Sequence, residues 1–173
     1  MSLQLLGALL ILLSGSFLGW IIALQYLERI KQLKELQSAI DLFNSEIRYT
    51  QPILHQALAR TAKKLDKPIS ILFLEAAESL SQKKGHTFND IWQQKLNNNF
   101  KNNYLLKQDK DILQEWGQQI GSSDLEGQRN INKLTLKKLE KLIEQAEVEA
   151  EKKVKLIRYS GFLISLTIII LLY

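Results

Sequence analysis

Few residues in this chain have the types and spacing that catalysis needs. The only histidines, His55 and His86, lie far apart and belong to neither an HExxH nor a Glu-x-x-His pair. The row Glu144, Glu147 and Glu151 could bind a cation, but such spacing is more typical of a solvated helix face. The chain has no cysteine and no GxxxxGK[ST] loop. The sequence therefore predicts a protein that is not an enzyme, with no catalytic residue, no metal and no cofactor.

The charged residues are confined to the middle of the chain. The 23 basic and 18 acidic residues all lie between Glu28 and Arg158, and they give a net charge of +5 and a pI near 9.3. Both ends are uncharged and hydrophobic. This pattern is not that of an ordinary soluble domain. A basic balance is compatible with an acidic partner or an anionic membrane surface.

The two hydrophobic ends predict membrane anchors. Residues 5–27 reach the roughly 20 apolar residues that a spanning helix needs. A cleaved signal peptide is the alternative, but no basic residue precedes the apolar run. Residues 159–173 are shorter and approach spanning length if Arg158 extends to the interface. A buried core helix is the alternative there.

The basic flanks predict the orientation. Arg29, Lys31 and Lys34 follow the first apolar segment, and the run Lys152–Arg158 precedes the second. The positive-inside rule then places the segment between them in the cytoplasm. The predicted organisation is an N-terminal transmembrane helix at 1–27, a cytoplasmic helical bundle at 28–158 and a C-terminal transmembrane helix at 159–173, in the cell membrane.

Small residues in the apolar ends indicate close helix packing. Gly15 and Gly19 form a GxxxG motif, and Gly161 and Ser165 form a second small-xxx-small pair. Such spacing lets two helix backbones approach each other, although it is common by chance in apolar segments.

The charged middle has helical periodicity and no convincing strand. Apolar residues recur at spacings of three and four, first in a stripe that continues from the N-terminal anchor and last in one that runs into the C-terminal anchor. We therefore predict an all-α fold, a bundle of about six helices whose long first and last helices are continuous with the transmembrane helices. The first stripe comprises Ile30, Leu33, Leu36, Ile40, Phe43 and Ile47.

Turn and cap residues predict the helix boundaries. Pro52 would open the second helix with Thr50 as its cap, and Pro68 would open the third with Asp66 as its cap. Gly85 would end the third helix and Thr87 would cap the fourth. Residues 97–103 read as a connection or a frayed end, Leu105 and Leu106 belong to the fifth helix, and the last helix begins near Leu125 after the turn at 121–124.

These features together resemble the stage III sporulation protein AB family of endospore-forming bacteria. The resemblance covers essentially the whole chain and is carried by "LLGALLILLSGSFLGW", "EIRYTQPILHQAL", "WGQQIGSSD" and the charged helix leading into "GFLISLTIIILLY". Pro52, Leu54, Ala57 and Leu58 are also similar to the cytoplasmic modules of the inner-membrane platform proteins of type II secretion and type IV pilus machines.

The resemblance implies a role that periodicity does not show. The family belongs to a mother-cell membrane complex that, with a forespore partner, bridges the two membranes around the forespore. Its expected partners are a cytoplasmic secretion-type ATPase, the other membrane subunits of the channel and the lipid bilayer. Assembly into a homo-oligomer is an open alternative, and binding of nucleic acid is not expected. The chain would be a platform subunit that couples the ATPase to the channel.

Five residues are the candidate contacts for the ATPase: Glu46, Arg48 and Tyr49 at the helix break, and Asp124 and Gln128 at the second turn. The alternative for each is a purely structural role at a helix end. Two other functions also stay open. One is a membrane-tethered regulator that binds nucleic acid or anionic lipid through basic residues. The other is a bundle enzyme with an unrecognised pocket.

Overall fold

The described residues of the chain form six α-helices. A computed structural model describes residues 2–50, 53–82, 85–101 and 103–172, and no residue in these ranges lies in a strand. The predicted all-α fold, with long first and last helices, is confirmed. The helices are α1 (Ser2–Thr50), α2 (Leu54–Ala62), α3 (Ile69–Ser81), α4 (Phe88–Asn99), α5 (Lys107–Ile120) and α6 (Leu125–Leu172).

Internal contacts divide the chain into two units. The apolar unit comprises α1 up to Ile30 and α6 from Glu144 onward, and the helical unit comprises residues 31–143. The predicted domain boundaries at residues 27 and 158 stay predictions.

The core of the helical unit forms around the predicted stripe of α1. Of its six residues, the five from Leu33 to Ile47 are buried, and Ile30 is partly exposed. Phe43 packs edge-on against Trp116, with 5.3 Å between ring centroids, and Trp116 lies 4.7 Å from Trp92. Trp92 donates its indole N–H to the carbonyl of Leu113 at 2.7 Å, which satisfies the polar atom of this buried ring.

Local chemistry explains where α4 and α6 begin. Thr87 caps α4 as predicted, in a capping box with Asp90. Asp124 precedes α6, and its carboxylate accepts a hydrogen bond from the N–H of Gly127 at 2.8 Å. Gly85 follows α3 with a positive φ of 77°, which glycine adopts without strain.

Two predicted caps are wrong. The N-cap of α2 is Ile53, not Thr50, because the carbonyl of Ile53 accepts the N–H groups of Gln56 and Ala57. Gln51 and Pro52 lie outside the described residues. The N-cap of α3 is Pro68, and no side chain caps it. Asp66 contributes its backbone instead, with its N–H donating to Glu35 at 2.7 Å.

The boundaries around α4 and α5 also differ from the prediction. Leu105 and Leu106 precede α5, because the carboxylate of Asp109 accepts the N–H of Leu106 and so fixes the first turn. The α4 helix continues through Asn99, whose amide donates to Glu75 and to the carbonyl of Lys95. Tertiary contacts thus override the poor helix propensity of this asparagine-rich segment.

The apolar unit contains a close crossing of α1 and α6. A Cβ added at Gly15 would lie 3.1 Å from the carbonyl of Gly161, and one added at Gly161 would lie 3.2 Å from the Cα of Gly19. The two small-residue motifs therefore pack against each other within one chain. Arg29 is 5% exposed and donates to Glu149 at 3.4 Å, which joins the same two helices at the charged end of the unit.

Candidate interaction site

The predicted contact Glu46 lies between two helices. Its carboxylate accepts a hydrogen bond from Lys64 at 2.7 Å and lies 3.8 Å from the guanidinium of Arg60, both in or just after α2. Only 12% of the Glu46 side chain is exposed. Glu46 therefore joins α1 to α2. These contacts within the protein account for its position, and no partner protein is needed to explain it.

Arg48 and Tyr49 lie at the exposed end of α1. The guanidinium of Arg48 lies 5.6 Å from the centroid of the Tyr49 ring, within the range of a cation–π contact. Tyr49 is 77% exposed, and the nearby Ile53 is 66% exposed. An exposed arginine, tyrosine and isoleucine together have the composition that protein interfaces favour.

The other two predicted contacts, Asp124 and Gln128, hold the turn between α5 and α6. Asp124 accepts the Gly127 N–H, as described above, and the amide of Gln128 donates to the carbonyls of Ile120 and Ser123. Three of the five candidates therefore make structural contacts within the protein, and the other two, Arg48 and Tyr49, form an exposed pair. Their binding of a partner stays a prediction.

Arg48 also belongs to a groove on the helical unit, which we name the basic groove. Its volume is about 800 Å³, and residues of α1 and α6 line it. Five of the lining residues are cationic and two are anionic. The lining residues are Lys34, Gln37, Ser38, Asp41, Asn44, Arg48, Arg129, Asn130, Lys133, Leu136, Lys137 and Glu140.

Three cations of the basic groove have no acidic partner among the described residues. Within the described parts of the chain, no carboxylate lies within 4.0 Å of Arg129, Lys133 or Lys137. The adjacent Lys138 behaves differently, because it pairs with Glu115. That hydrogen bond lowers the pKa of Glu115 below its ordinary value of 4.5. The groove therefore contains cationic groups that no described carboxylate contacts.

A chain of side-chain hydrogen bonds joins the groove to the core. Asn132, which is fully buried, accepts the indole N–H of Trp116 at 2.8 Å and donates to the amide oxygen of Asn44 at 3.4 Å. Asn44 is one of the groove-lining residues. Both the oxygen and the nitrogen of the buried Asn132 amide therefore have a hydrogen-bond partner.

The sequence interpretation missed the cations of α6, although a signal for them was present. Arg129, Lys133 and Lys137 are spaced four residues apart, which places them on one face of a helix. Their significance depends on α1 packing beside that face, which the sequence does not reveal. Among the described residues there is no group of three His, Cys, Asp or Glu residues that could hold a metal ion.

Comparison with known proteins identifies the family. The model of the stage III sporulation protein AB family matches residues 4–173. The chain belongs to this family. The stage III sporulation protein AB of Bacillus subtilis (strain 168) is 33% identical over 170 residues, covering 98% of this chain and 99% of that protein. A solved structure of a stage III sporulation protein AB matches with a TM-score of 0.65 and 29% identity, covering 72% of this chain and 97% of that one.

Membership in the sporulation protein AB family confirms the resemblance predicted from the sequence. Two helices, α1 and α6, also have the length and apolar composition needed to cross a membrane. Only 6% of the most apolar window in each of them is buried within the protein. Unburied apolar surface of this extent fits a lipid environment.

Proposed function

We propose that this protein is a non-enzymatic membrane platform subunit of the mother-cell sporulation channel, which couples a cytoplasmic ATPase to the channel during endospore formation. The observation that carries the proposal is the match to the sporulation protein AB family over residues 4–173, in a chain whose two long helices each combine an apolar and a charged stretch. Family membership supports a role in stage III of sporulation. The coupling role is the finer part of the proposal.

The distribution of charge supports a cytoplasmic helical unit. Arg29, Lys31 and Lys34 follow the apolar stretch of α1, and four basic residues lie between 152 and 158 in α6, just before its apolar stretch. Basic residues next to a membrane-spanning stretch remain on the cytoplasmic side. The helical unit would then face a cytoplasmic ATPase, and both ends of the chain would face the opposite side.

The continuity of the long helices supports coupling. No break interrupts α1 over its 49 residues or α6 over its 48 residues. A force applied to the charged half of such a helix reaches its apolar half through a continuous ladder of backbone hydrogen bonds. A platform subunit can use this stiffness to pass a conformational change of the ATPase to the membrane.

A binding measurement tests the proposal. The full-length chain in lipid nanodiscs is titrated with the ATPase of the sporulation complex, at low and at physiological ionic strength. We expect saturable binding that Arg48→Glu weakens and that the matched charge reversal Lys101→Glu, at an exposed position outside the basic groove, leaves unchanged. If the folded, membrane-embedded chain fails to bind the ATPase at either ionic strength, the coupling role is wrong.

A membrane-tethered regulator that binds nucleic acid or anionic lipid is the second candidate function. The groove cations Arg129, Lys133 and Lys137, which pair with no described carboxylate, favour it. Such a protein would bind single-stranded nucleic acid, or vesicles containing phosphatidylglycerol, with a steep dependence on salt. It would not require the ATPase. Binding of these polyanions in the absence of any ATPase binding would favour this candidate over the platform.

A further inference from the structure

We propose that the basic groove is the docking site for a short acidic peptide segment of a partner protein. The inference deepens the proposed function, because it assigns the chemistry of the contact that a platform subunit would make. It rests on the arrangement of charges and polar groups in the groove.

The first argument is electrostatic complementarity. The groove brings Arg129, Lys133 and Lys137, which have no carboxylate within 4.0 Å among the described residues, beside Arg48. A surface on which cations outnumber carboxylates attracts negatively charged side chains and accelerates their association.

The second argument is the uncharged part of the lining. Gln37, Ser38, Asn44 and Asn130 supply amide and hydroxyl groups, which can hydrogen-bond to the N–H and C=O groups of a peptide backbone. Leu136 adds an apolar contact. A peptide offers carboxylates, backbone polar groups and aliphatic carbon together, so it matches this mixture.

The third argument separates a peptide from other anions. The lining includes the carboxylates of Asp41 and Glu140, which would repel a continuous row of phosphates. The described residues that line the groove include no aromatic ring on which a nucleic-acid base could stack. A peptide can place neutral or basic residues opposite the two carboxylates, which a lipid surface or a nucleic-acid backbone cannot do.

The length of the groove sets the length of the segment. Lys34 and Arg48 are 14 positions apart on α1, which corresponds to about 21 Å of helix. An extended strand of about six residues covers this distance. The expected ligand is therefore an Asp- or Glu-rich stretch of about six residues, exposed on the partner.

The test uses the full-length chain in nanodiscs of uncharged lipid. The probe is a synthetic peptide of alternating Glu and Ser, and the reference peptide has Gln in place of every Glu. Binding is measured by isothermal titration calorimetry. The groove variant Lys133→Glu/Lys137→Glu is compared with Lys101→Glu/Lys107→Glu, which makes the same charge change at exposed positions outside the groove. Circular dichroism verifies that each variant is folded.

We expect the Glu peptide to bind saturably and the Gln peptide not to bind. The groove variant should raise the dissociation constant of the Glu peptide at least about tenfold. The control variant should raise it less than about twofold, since distant exposed charges are screened. Absence of saturable binding, or equal weakening by both variants, would overturn the proposal. It would also be overturned if groove reversal abolished binding of phosphatidylglycerol vesicles or of single-stranded RNA while peptide binding persisted.

The same variants separate this inference from the proposed function. If the ATPase binds the chain but the Glu peptide shows no groove-dependent binding, the inference fails, although the platform function stands. If the Glu peptide binds in a groove-dependent manner but the ATPase binds no form of the chain, the docking site is supported and the coupling function fails.

Discussion

At the scale of single residues, Gly117 shows how tightly the aromatic core is packed. A Cβ at this position would lie 2.1 Å from the Trp92 ring, which is fully buried and fixed by its hydrogen bond to Leu113. The ring therefore cannot move aside. This contact accounts physically for the glycine in the "WGQQIGSSD" stretch that carries part of the family resemblance.

Gly117→Ala should lower the free energy of unfolding by about 2 kcal/mol, because overpacking a rigid core outweighs the better helix propensity of alanine. The exposed neighbour Gln118→Ala is the matched control and should not destabilise the protein. Thermal unfolding of the full chain in nanodiscs, followed by circular dichroism, measures both. A Gly117→Ala variant as stable as the control would show that the Trp92 ring can move to make room for the added methyl group.

Asp124 illustrates how a structural role and a binding role can be separated. Asp124→Ala removes the acceptor for the Gly127 N–H at the start of α6 and should cost about 1 kcal/mol of stability. Asp124→Asn keeps an acceptor oxygen and should retain most of that stability. Comparing ATPase binding by the Asn variant and by the unmodified chain then tests a contact role. Unchanged binding would mean that the Asp124 carboxylate only caps α6 and does not contact the ATPase.

At the scale of elements, the start of α4 depends on a charged carboxylate. The hydroxyl and the backbone N–H of Thr87 donate to the same oxygen of Asp90, at 2.7 and 3.2 Å. These hydrogen bonds lower the pKa of Asp90 below its ordinary value of 3.8. A lowered folded-state pKa means that the stabilisation is complete above the unfolded-state pKa and is lost as the pH falls through the folded-state value.

The stability of the chain should therefore decline as the pH falls below about 5. Glu115, whose pKa is also lowered, by its hydrogen bond to Lys138, contributes in the same direction. Thr87→Ala removes the hydroxyl that donates to Asp90, so its loss of stability between neutral and acidic pH should be shallower than that of the unmodified chain. Urea unfolding across this pH range measures how the free energy of unfolding depends on pH. Parallel pH profiles of the two proteins would contradict the role given to the Thr87–Asp90 hydrogen bond.

Most helices of this fold could be predicted from periodicity, but several boundaries could not. The stripe of α1, the Thr87 cap and the start of α6 depend on local sequence signals and are confirmed. The end of α4 depends instead on Asn99 contacting Glu75 in another helix. The basic groove combines residues of α1 and α6 that are distant in the sequence, so the four-residue spacing of the α6 cations does not by itself show that α1 packs beside them.

At the scale of the molecule, the crossing of α1 and α6 in the apolar unit can be tested by cross-linking. The native chain has no cysteine. A Cβ at Gly15 would lie 3.2 Å from the Cβ of Ser165, close to the separation of a disulfide. The Gly15→Cys/Ser165→Cys variant should therefore form an intramolecular disulfide upon oxidation in the membrane, seen as faster migration on a denaturing gel.

Phe17→Cys/Ser165→Cys is the control, because Phe17 is 58% exposed and does not take part in the close approach at Gly15. It should cross-link much less. Equal cross-linking of both pairs, or dimers in place of the intramolecular product, would mean that the small residues do not pack within one chain. The sequence revealed both motifs, but only the structure pairs them with each other.

The hydrogen-bonded path from Asn44 through Asn132 to Trp116 has a spectroscopic consequence. The emission of an indole depends on the polarity and hydrogen bonding around its nitrogen. A peptide that takes over the Asn44 amide oxygen would leave the Asn132 amide without this acceptor, change the hydrogen bonding next to the Trp116 indole and so shift that emission. With Trp20→Phe, only Trp92 and Trp116 remain to report. The protein thus contains an intrinsic optical reporter of what enters its groove, without any added dye.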